Sequence, residues 1–267
     1  MNSDMNSFSG GWLALREPAD QAAHNLDVQA ALKAAFAERN ALVVWDLGAG
    51  TGSSIRSFSA CLPDNTQWVL IDQDQGLLDI AAERHVAVVR QFNLASGLPD
   101  PTQEGLPKPD LITASAFLDL TSEAWINALA AFCAAQGCAL LATLCVDGTI
   151  RAEPDHPMDE MVFDAFVAHQ TQDKGFGGPA AGPQGGALIR DALAAKGFNV
   201  TTGASPWVLT KEAHGPLMQQ LLSGIDEAVS ESGPVTEESM YAWIDHRQAR
   251  CRLIEVGHLD VLALPPA

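Results

Sequence analysis

The stretch Val43-Val44-Trp45-Asp46-Leu47-Gly48-Ala49-Gly50-Thr51-Gly52-Ser53-Ser54 decides how this chain of 267 residues is read. Residues 41–48, ALVVWDLG, form a short apolar run with two valines that closes on glycine, the pattern of a strand buried on both faces of a parallel sheet. Gly48, Gly50 and Gly52 then alternate. Glycine at such a junction permits positive φ and lets another group approach the backbone closely. A helix predicted from about Ser53 to Cys61 opens immediately afterwards, and its first N–H groups have no intrahelical partner. A glycine-rich turn carries information when it follows a strand and opens a helix, and this one does both.

Outward from this turn the pattern repeats. Residues 68–72 (WVLID) predict a second strand and 76–85 a helix. Residues 86–91 (VAVVRQ) predict a third strand, followed by a Pro- and Gly-rich loop to Pro109. Residues 110–115 (DLITAS), 122–136 and 138–146 (CALLATLCV) predict strand, helix and strand. Strands alternating with helices imply right-handed βαβ units and a parallel sheet. Before the first strand, residues 1–16 read as irregular and Glu17–Arg39 as one helix with Pro18 in its first turn.

After Val146 the texture changes. Residues 147–157 hold three acidic side chains, two prolines and His156, and an amphipathic helix with Met158, Met161, Val162, Phe166 and His169 follows. Residues 175–186, GFGGPAAGPQGG, contain six glycines and two prolines and read as a flexible loop. A helix over 187–197, a strand over 198–202, helices over Lys211–Ser230 and Thr236–Arg250 and a last strand complete the chain. The expected organisation is one domain over 1–267. It comprises an N-terminal helical segment (1–40), a ligand-binding half (41–146), a lid insertion (147–186) and a C-terminal half of the sheet with two helices (187–267). Residues 155–186 are expected to be mobile until cofactor and acceptor together order them.

Charge and composition exclude some partners. With 15 basic and 33 acidic residues the formal charge is −18. Such a surface repels a phosphate backbone and an anionic bilayer, so neither nucleic acid nor membrane is the expected partner. The polar segment Met1 to Gly10 does not read as a signal peptide. The five cysteines, Cys61, Cys133, Cys138, Cys145 and Cys251, are odd in number and show no CxxC pair. They read as reduced thiols of a cytoplasmic protein. No Asp/His/Glu cluster has metal-site spacing, so no metal is expected.

The ligand-facing residues follow from the topology. A dinucleotide turn reads GxGxxG, but here Ser53 stands where the third glycine falls. Asp46, two residues before the first glycine, would repel a pyrophosphate and suits a cationic group. Asp72 closes the second strand, where a carboxylate accepts ribose hydroxyls. Asn93 and Leu94 follow the third strand, where an amide reaches an adenine edge and a leucine packs on the ring. Thr113 to Phe117 end the fourth strand at the carboxyl edge of the sheet, where open α/β sheets bind ligands.

The D-L-G-A-G-T-G turn (46–52), Asp72, the Asn93-Leu94 pair and Thr113-Ala114-Ser115-Ala116 resemble the class I S-adenosylmethionine-dependent methyltransferases of small-molecule type. The resemblance covers residues 40–146 by motif and 187–264 by order of elements. It implies a Rossmann-like, seven-stranded, mostly parallel sheet with helices on both faces and an antiparallel last strand. It implies that S-adenosylmethionine is the cofactor, with Gly48, Ala49, Gly50 and Gly52 along its methionine part, Asp72 and Gln73 at the ribose, and Asn93 and Leu94 at the adenine. Asp46, Ser115 and Arg16 complete the candidate cofactor set, Arg16 as the partner of a carboxylate. The family more often carries Asp at the position of Asn93.

The expected activity is methyl transfer to the oxygen or nitrogen of a small-molecule acceptor. The absence of N/D-P-P-Y/F/W after the fourth strand, where Leu118-Asp119-Leu120 stands instead, disfavours adenine methylation in nucleic acid. His169 is the expected general base and Lys174 the expected holder of an anionic substrate group. Two alternatives stay open. One is a catalytically silent S-adenosylmethionine-binding regulator or scaffold. The other is an NAD(P)-dependent oxidoreductase, disfavoured by the missing third glycine and by the only tyrosine, Tyr241, which is followed four places on by Asp245 rather than Lys.

Overall fold

The computed structural model describes residues 9–232 and 235–266. Met1 to Phe8, the first half of the segment expected to be irregular, lie outside the described residues. In chain order the elements are α1 (Gly10–Ala23), α2 (Leu26–Phe36), β1 (Ala41–Leu47), α3 (Ser53–Phe58), β2 (Asn65–Asp72), α4 (Gln75–Arg84), β3 (Val88–Gln91), α5 (Pro101–Glu104) and β4 (Leu111–Ser115). They continue as α6 (Glu123–Gln136), β5 (Ala139–Glu153), α7 (Asp159–Gln170), α8 (Gly185–Ala194), β6 (Asn199–Ala204), β7 (Trp207–Thr210), α9 (Lys211–Ser232), α10 (Glu237–Arg250) and β8 (Leu253–Leu264).

The strand order is β3-β2-β1-β4-β5-β8-β6, with β1 to β5 parallel and β8 antiparallel to both β5 and β6. Val44, Trp45 and Leu47 of β1 are fully buried because the sheet is covered on both faces. On one face Val28, Leu32 and Phe36 of α2, Phe58 of α3 and Leu78 and Ala81 of α4 meet Val44, Leu70, Leu111 and Leu141. On the other, Trp125, Ile126 and Leu129 of α6 and Ile189 and Leu193 of α8 meet Trp45, Ile71, Ile112 and Leu140.

The sheet has eight strands rather than seven. The chain bends at Ser205-Pro206 after β6, and β7 then pairs with the N-terminal half of β8. β5 also runs to Glu153, past the Val146 end expected for it, and pairs with β8 through register shifts after Ala142 and Val146. The extended ribbon carries a second core, in which α7, α9 and α10 pack Val162, Phe163, Leu222, Ile225, Met240 and Trp243 against Trp207, Leu209 and Ile254. Because β5 and β6 run parallel to β1, this helical cap stands beyond the carboxyl edge of the sheet. Arg247 of α10, with no exposed surface, bonds to the Asp159 carboxylate at the start of α7 and donates to Pro154 O at 2.6 Å. Trp243 Nε1 donates to the same carboxylate at 2.9 Å.

The N-terminal segment departs from expectation. Two helices replace one, and α1 begins at Gly10, where the Ser9 side chain caps Trp12 N. Pro18 therefore lies inside α1 rather than in its first turn. The break falls at His24-Asn25 because the Asn25 side chain accepts from Asp27 N and Val28 N and starts α2. A single buried carboxylate holds the break in place. Asp260 of β8 accepts from Asn25 N (2.9 Å), from Leu144 N at the β5 bulge (2.9 Å) and from Ser205 Oγ at the β6–β7 bend (2.7 Å).

Candidate functional site

A cleft opens at the carboxyl edge of the sheet, over the tips of β1, β2, β3 and β4. It encloses about 1100 Å³, part of it open to solvent. Four groups of wall residues come from these tips: Gly48–Thr51, Asp72–Asp74, Asn93–Ala95 and Ser115–Phe117. The remaining wall is built by Leu13, Arg16 and Asp20 of α1, by Leu77 and Leu120, and by Lys174 and Phe176 of the glycine-rich loop. Of the residues picked from sequence, the cleft thus brings together Arg16, Gly48, Ala49, Gly50, Asp72, Gln73, Asn93, Leu94, Ser115 and Lys174.

Asp46, Gly52 and His169 are not among the lining residues. Asp46 lies wholly buried behind the turn, where its Oδ1 accepts from Ser54 Oγ at 2.8 Å and Thr113 Oγ1 at 2.7 Å. Its Oδ2 is buried with no partner among the described residues. Burial raises the carboxyl to about 6 against these two hydroxyl donors. A Cβ on Gly52 would approach His85 rather than a ligand. His169 sits on α7 with Nε2 3.4 Å from Glu231 Oε2 of α9, so it serves the cap and not the cleft.

Four amides of the turn are spent inside the protein. Gly48 N and Ala49 N both donate to Ile71 O (2.9 and 3.2 Å), Gly50 N donates to Asp72 Oδ2 (2.8 Å) and Gly52 N to Ala49 O (2.9 Å). None of these donors is left for a phosphate. Gly48 (φ +66°) is needed for another reason than ligand approach: a Cβ there would lie 2.6 Å from the Phe117 ring. Phe117 in turn makes edge contacts with Trp125 and Phe176, at 5.5 and 5.7 Å between ring centroids.

Asp72 is fixed by two amides, Gly50 N on Oδ2 and Asp74 N on Oδ1 (2.9 Å). An ionised carboxylate offers about four acceptor positions, so about two remain for a ligand in the cleft. Burial raises its pKa, and the same amides oppose the rise. Asn93 caps the short turn after β3 through Oδ1, which accepts from Ala95 N at 3.0 Å. Its amide NH₂ is the part left to face a ring nitrogen. Leu94 is buried beside it, held by Trp125 Nε1 donating to Leu94 O at 2.8 Å.

Sequence reading put Arg16 beside the ligand but missed the latch that seats α1 on the cleft. Arg56 of α3 forms a two-pronged pair with Glu17 of α1 and donates to Thr51 O at 2.7 Å. Leu13 thereby packs on the turn, 3.0 Å from where a Gly50 Cβ would stand. Arg16 is already engaged. Its Nε and Nη2 donate to Asp20 (2.8 and 3.1 Å) and its guanidinium lies 5.0 Å from the centre of the Trp207 ring. The two Nη1 donors and the second Nη2 donor are left for an anion. A salt-bridge spacing of four residues, Arg16 to Asp20, was the available signal.

The glycine-rich loop makes several contacts with the body of the fold. Phe176 packs on the main core, Ser122 Oγ donates to Phe176 O at 2.8 Å, Ala181 N donates to Thr121 O at 2.7 Å, and Ala180 and Ala181 are buried. Among the described residues no group of three or more His, Cys, Asp or Glu is placed to hold a metal. No described helix is long and apolar enough to cross a membrane.

The chain matches no protein-family model and none of the curated proteins. Solved structures do resemble it. The cyclopropane synthase MmaA2 from Mycobacterium tuberculosis aligns over 96% of this chain and 94% of its own at 13% identity, with a TM-score of 0.51. Phosphoethanolamine N-methyltransferase 2 from Haemonchus contortus, solved in complex with S-adenosyl-L-methionine, aligns over 98% of this chain at 12% identity and a TM-score of 0.50. This chain spans 59% of that second protein. At such identities the likeness is one of fold: the chain has the α/β fold of these two enzymes.

Proposed function

We propose that the chain is an S-adenosylmethionine-dependent methyltransferase acting on a small molecule. One observation carries the reading: Asp72 faces the cleft with acceptor positions to spare, while the amides of Gly48, Ala49, Gly50 and Gly52 are all donated inside the protein. A pyrophosphate needs free amides at the turn. A nucleoside with a short zwitterionic tail needs a ribose-binding carboxylate and tolerates spent amides. This contrast favours an adenosyl ligand over NAD(P). The enzyme reading is preferred to a silent binding protein because the cleft continues past the cofactor end toward Leu120, Lys174 and Phe176.

In this reading Asp72 accepts both ribose hydroxyls, the Asn93 NH₂ meets an adenine ring nitrogen, and Leu77 and Leu94 supply apolar walls. The Nη1 edge of Arg16 takes the ligand's carboxylate. When bound, S-adenosylmethionine supplies a methyl group on a positively charged sulfur. The protein's task is then to align the acceptor and exclude water. Phe117, Phe176 and Leu120 give the acceptor end its apolar surface, and Lys174 takes a negative group on the acceptor.

The test is turnover. Purified protein incubated with isotopically methyl-labelled S-adenosylmethionine and a fractionated metabolite extract is expected to release S-adenosylhomocysteine and label one small-molecule fraction. Tight cofactor binding with no labelled product across all fractions would favour the silent regulator.

A further inference from the structure

Arg56 of α3 has no donor to spare. A guanidinium carries five N–H groups, and here each has a partner. Nε and one Nη2 hydrogen go to the two carboxylate oxygens of Glu17 on α1, and the other Nη2 hydrogen goes to Thr51 Oγ1 at 3.3 Å. The Nη1 hydrogens go to Thr51 O at 2.7 Å and to His85 Nε2 at 2.8 Å. A guanidinium cannot accept a hydrogen bond, so the last contact fixes the state of His85. Its Nε2 must accept, its ring proton sits on Nδ1, and the imidazole is neutral.

His85 is held in place from two sides. It closes α4, where its backbone N donates to Ala81 O at 3.0 Å. Its ring lies against the glycine turn, since a Cβ on Gly52 would stand 3.1 Å from His85 Cδ2. The third glycine of the turn thus makes room for this ring. The charged groups that face the imidazole are Arg56 from α3, Glu17 from α1 and Arg84 from its own helix. Burial, then Arg56 and Arg84, hold its pKa below the ordinary 6.5, and Glu17 opposes them. Both Glu17 oxygens already accept from Arg56, so a protonated His85 could reach Glu17 only by displacing Arg56 from it.

We propose that His85 is a positioning residue whose neutral form locks α1 over the cleft and whose protonated form releases it. Neutral, it takes the last donor of Arg56, and Arg56 grips Glu17, which seats the cleft-wall residues Leu13, Arg16 and Asp20 of α1. Protonated, it sets N–H against N–H and pushes Arg56 away. A ligand that needs α1 seated binds the neutral form better. Its affinity therefore falls as pH drops through the titration of His85, and by reciprocity the bound ligand makes His85 harder to protonate. The inference rests on the adenosyl reading only for its probe, S-adenosylhomocysteine.

The test compares whole parent protein with His85→Gln and His85→Ala at pH 7.5 and pH 5, on either side of the usual histidine range. The glutamine offers Arg56 a carbonyl in place of Nε2 and has no proton to gain. The alanine offers no acceptor at either pH. Hydrogen-exchange protection of the α1 amides is read without ligand, and affinity for S-adenosylhomocysteine is read by calorimetry. Between the two pH values both quantities are expected to fall about threefold or more further in the parent than in His85→Gln, as for the loss of one hydrogen bond of modest net strength. Asp46 and Asp72 titrate in both proteins, so their share cancels. His85→Ala should show at pH 7.5 the looser α1 that the parent shows at pH 5. Equal falls in the parent and His85→Gln, in protection or in affinity, would overturn the role of His85, and the adenosyl reading would stand wherever the ligand binds. No binding by the parent at either pH, with α1 protection still following His85, would overturn the adenosyl reading and leave the latch.

Discussion

One end of the cleft is made of strand tips and the other largely of α1 and the loop around Phe176. At the cofactor end, Gly48–Thr51, Asp72, Asn93 and Ser115 are placed by β1 to β4, whose register is fixed by a core covered on both faces. At the other end, α1 is placed by side chains far from it in sequence, among them Arg56, Asp260 and Trp207, and the loop around Phe176 by Ser122 and Thr121. Strand tips give a site whose chemistry is set by local order along the chain. The helical end gives one whose shape depends on long-range polar contacts, so substitutions at the two ends should act on different observables.

The largest expected effect lies in the cap. Arg247→Ala leaves the Asp159 carboxylate beside Trp243 with its buried cation gone. Breaking a buried pair from one side costs about 3–5 kcal/mol, readable as a fall in unfolding free energy by denaturant titration. S-adenosylhomocysteine affinity in the folded fraction should hardly change. Affinity lost in parallel with stability would show that the two ends are one cooperative unit.

Asp46 offers a sharper contrast at the cofactor end. Its folded pKa, about 6, lies above the ordinary 3.8. The unfolded chain therefore loses this proton first as pH rises, and the folded state is penalised progressively between those values and fully above them. Asp46→Asn carries no such penalty. Its stability relative to the parent should rise between pH 4 and pH 7 by on the order of 3 kcal/mol. A difference that stays flat across that range would mean that Asp46 ionises as freely in the fold as outside it.

These two sites also show how far the sequence could be read. The alternation of strand and helix and the residues at the strand tips follow from periodicity and turn chemistry, which act over a few residues. The break at His24-Asn25 carries a capping asparagine, but the apolar register runs through it and hides it. The loop at 175–186 is rich in glycine, and glycine argues for freedom only until something holds the loop. Here Phe176 packs against Phe117 and Trp125, and Ser122 and Thr121 bond to the loop backbone, contacts that have no period to detect. His169 stands out in sequence as a base, yet its neighbour is Glu231, on a helix some sixty positions later.

Asp72→Ala isolates the strand-tip chemistry. Removing a charged acceptor of ligand hydrogen bonds should weaken S-adenosylhomocysteine binding by about 1.5–3 kcal/mol with the fold intact, measured by calorimetry alongside circular dichroism. The smallest effect is expected at the latch between the ends. Glu17→Gln keeps the shape of the Arg56 contact and removes its charge, which for this partly exposed pair should cost about 0.5–1 kcal/mol in cofactor affinity. No change in affinity, with faster exchange of α1 amides, would make α1 a bystander to cofactor binding.

The central claim is that the cleft is built for an adenosyl ligand without pyrophosphate. Calorimetric titration of the whole protein with S-adenosylhomocysteine, S-adenosylmethionine and NADH tests it most directly. Saturable binding of both adenosyl ligands, abolished or strongly weakened in Asp72→Ala, with no heat from NADH, is the predicted result. Saturable binding of NADH with no response to either adenosyl ligand would contradict it.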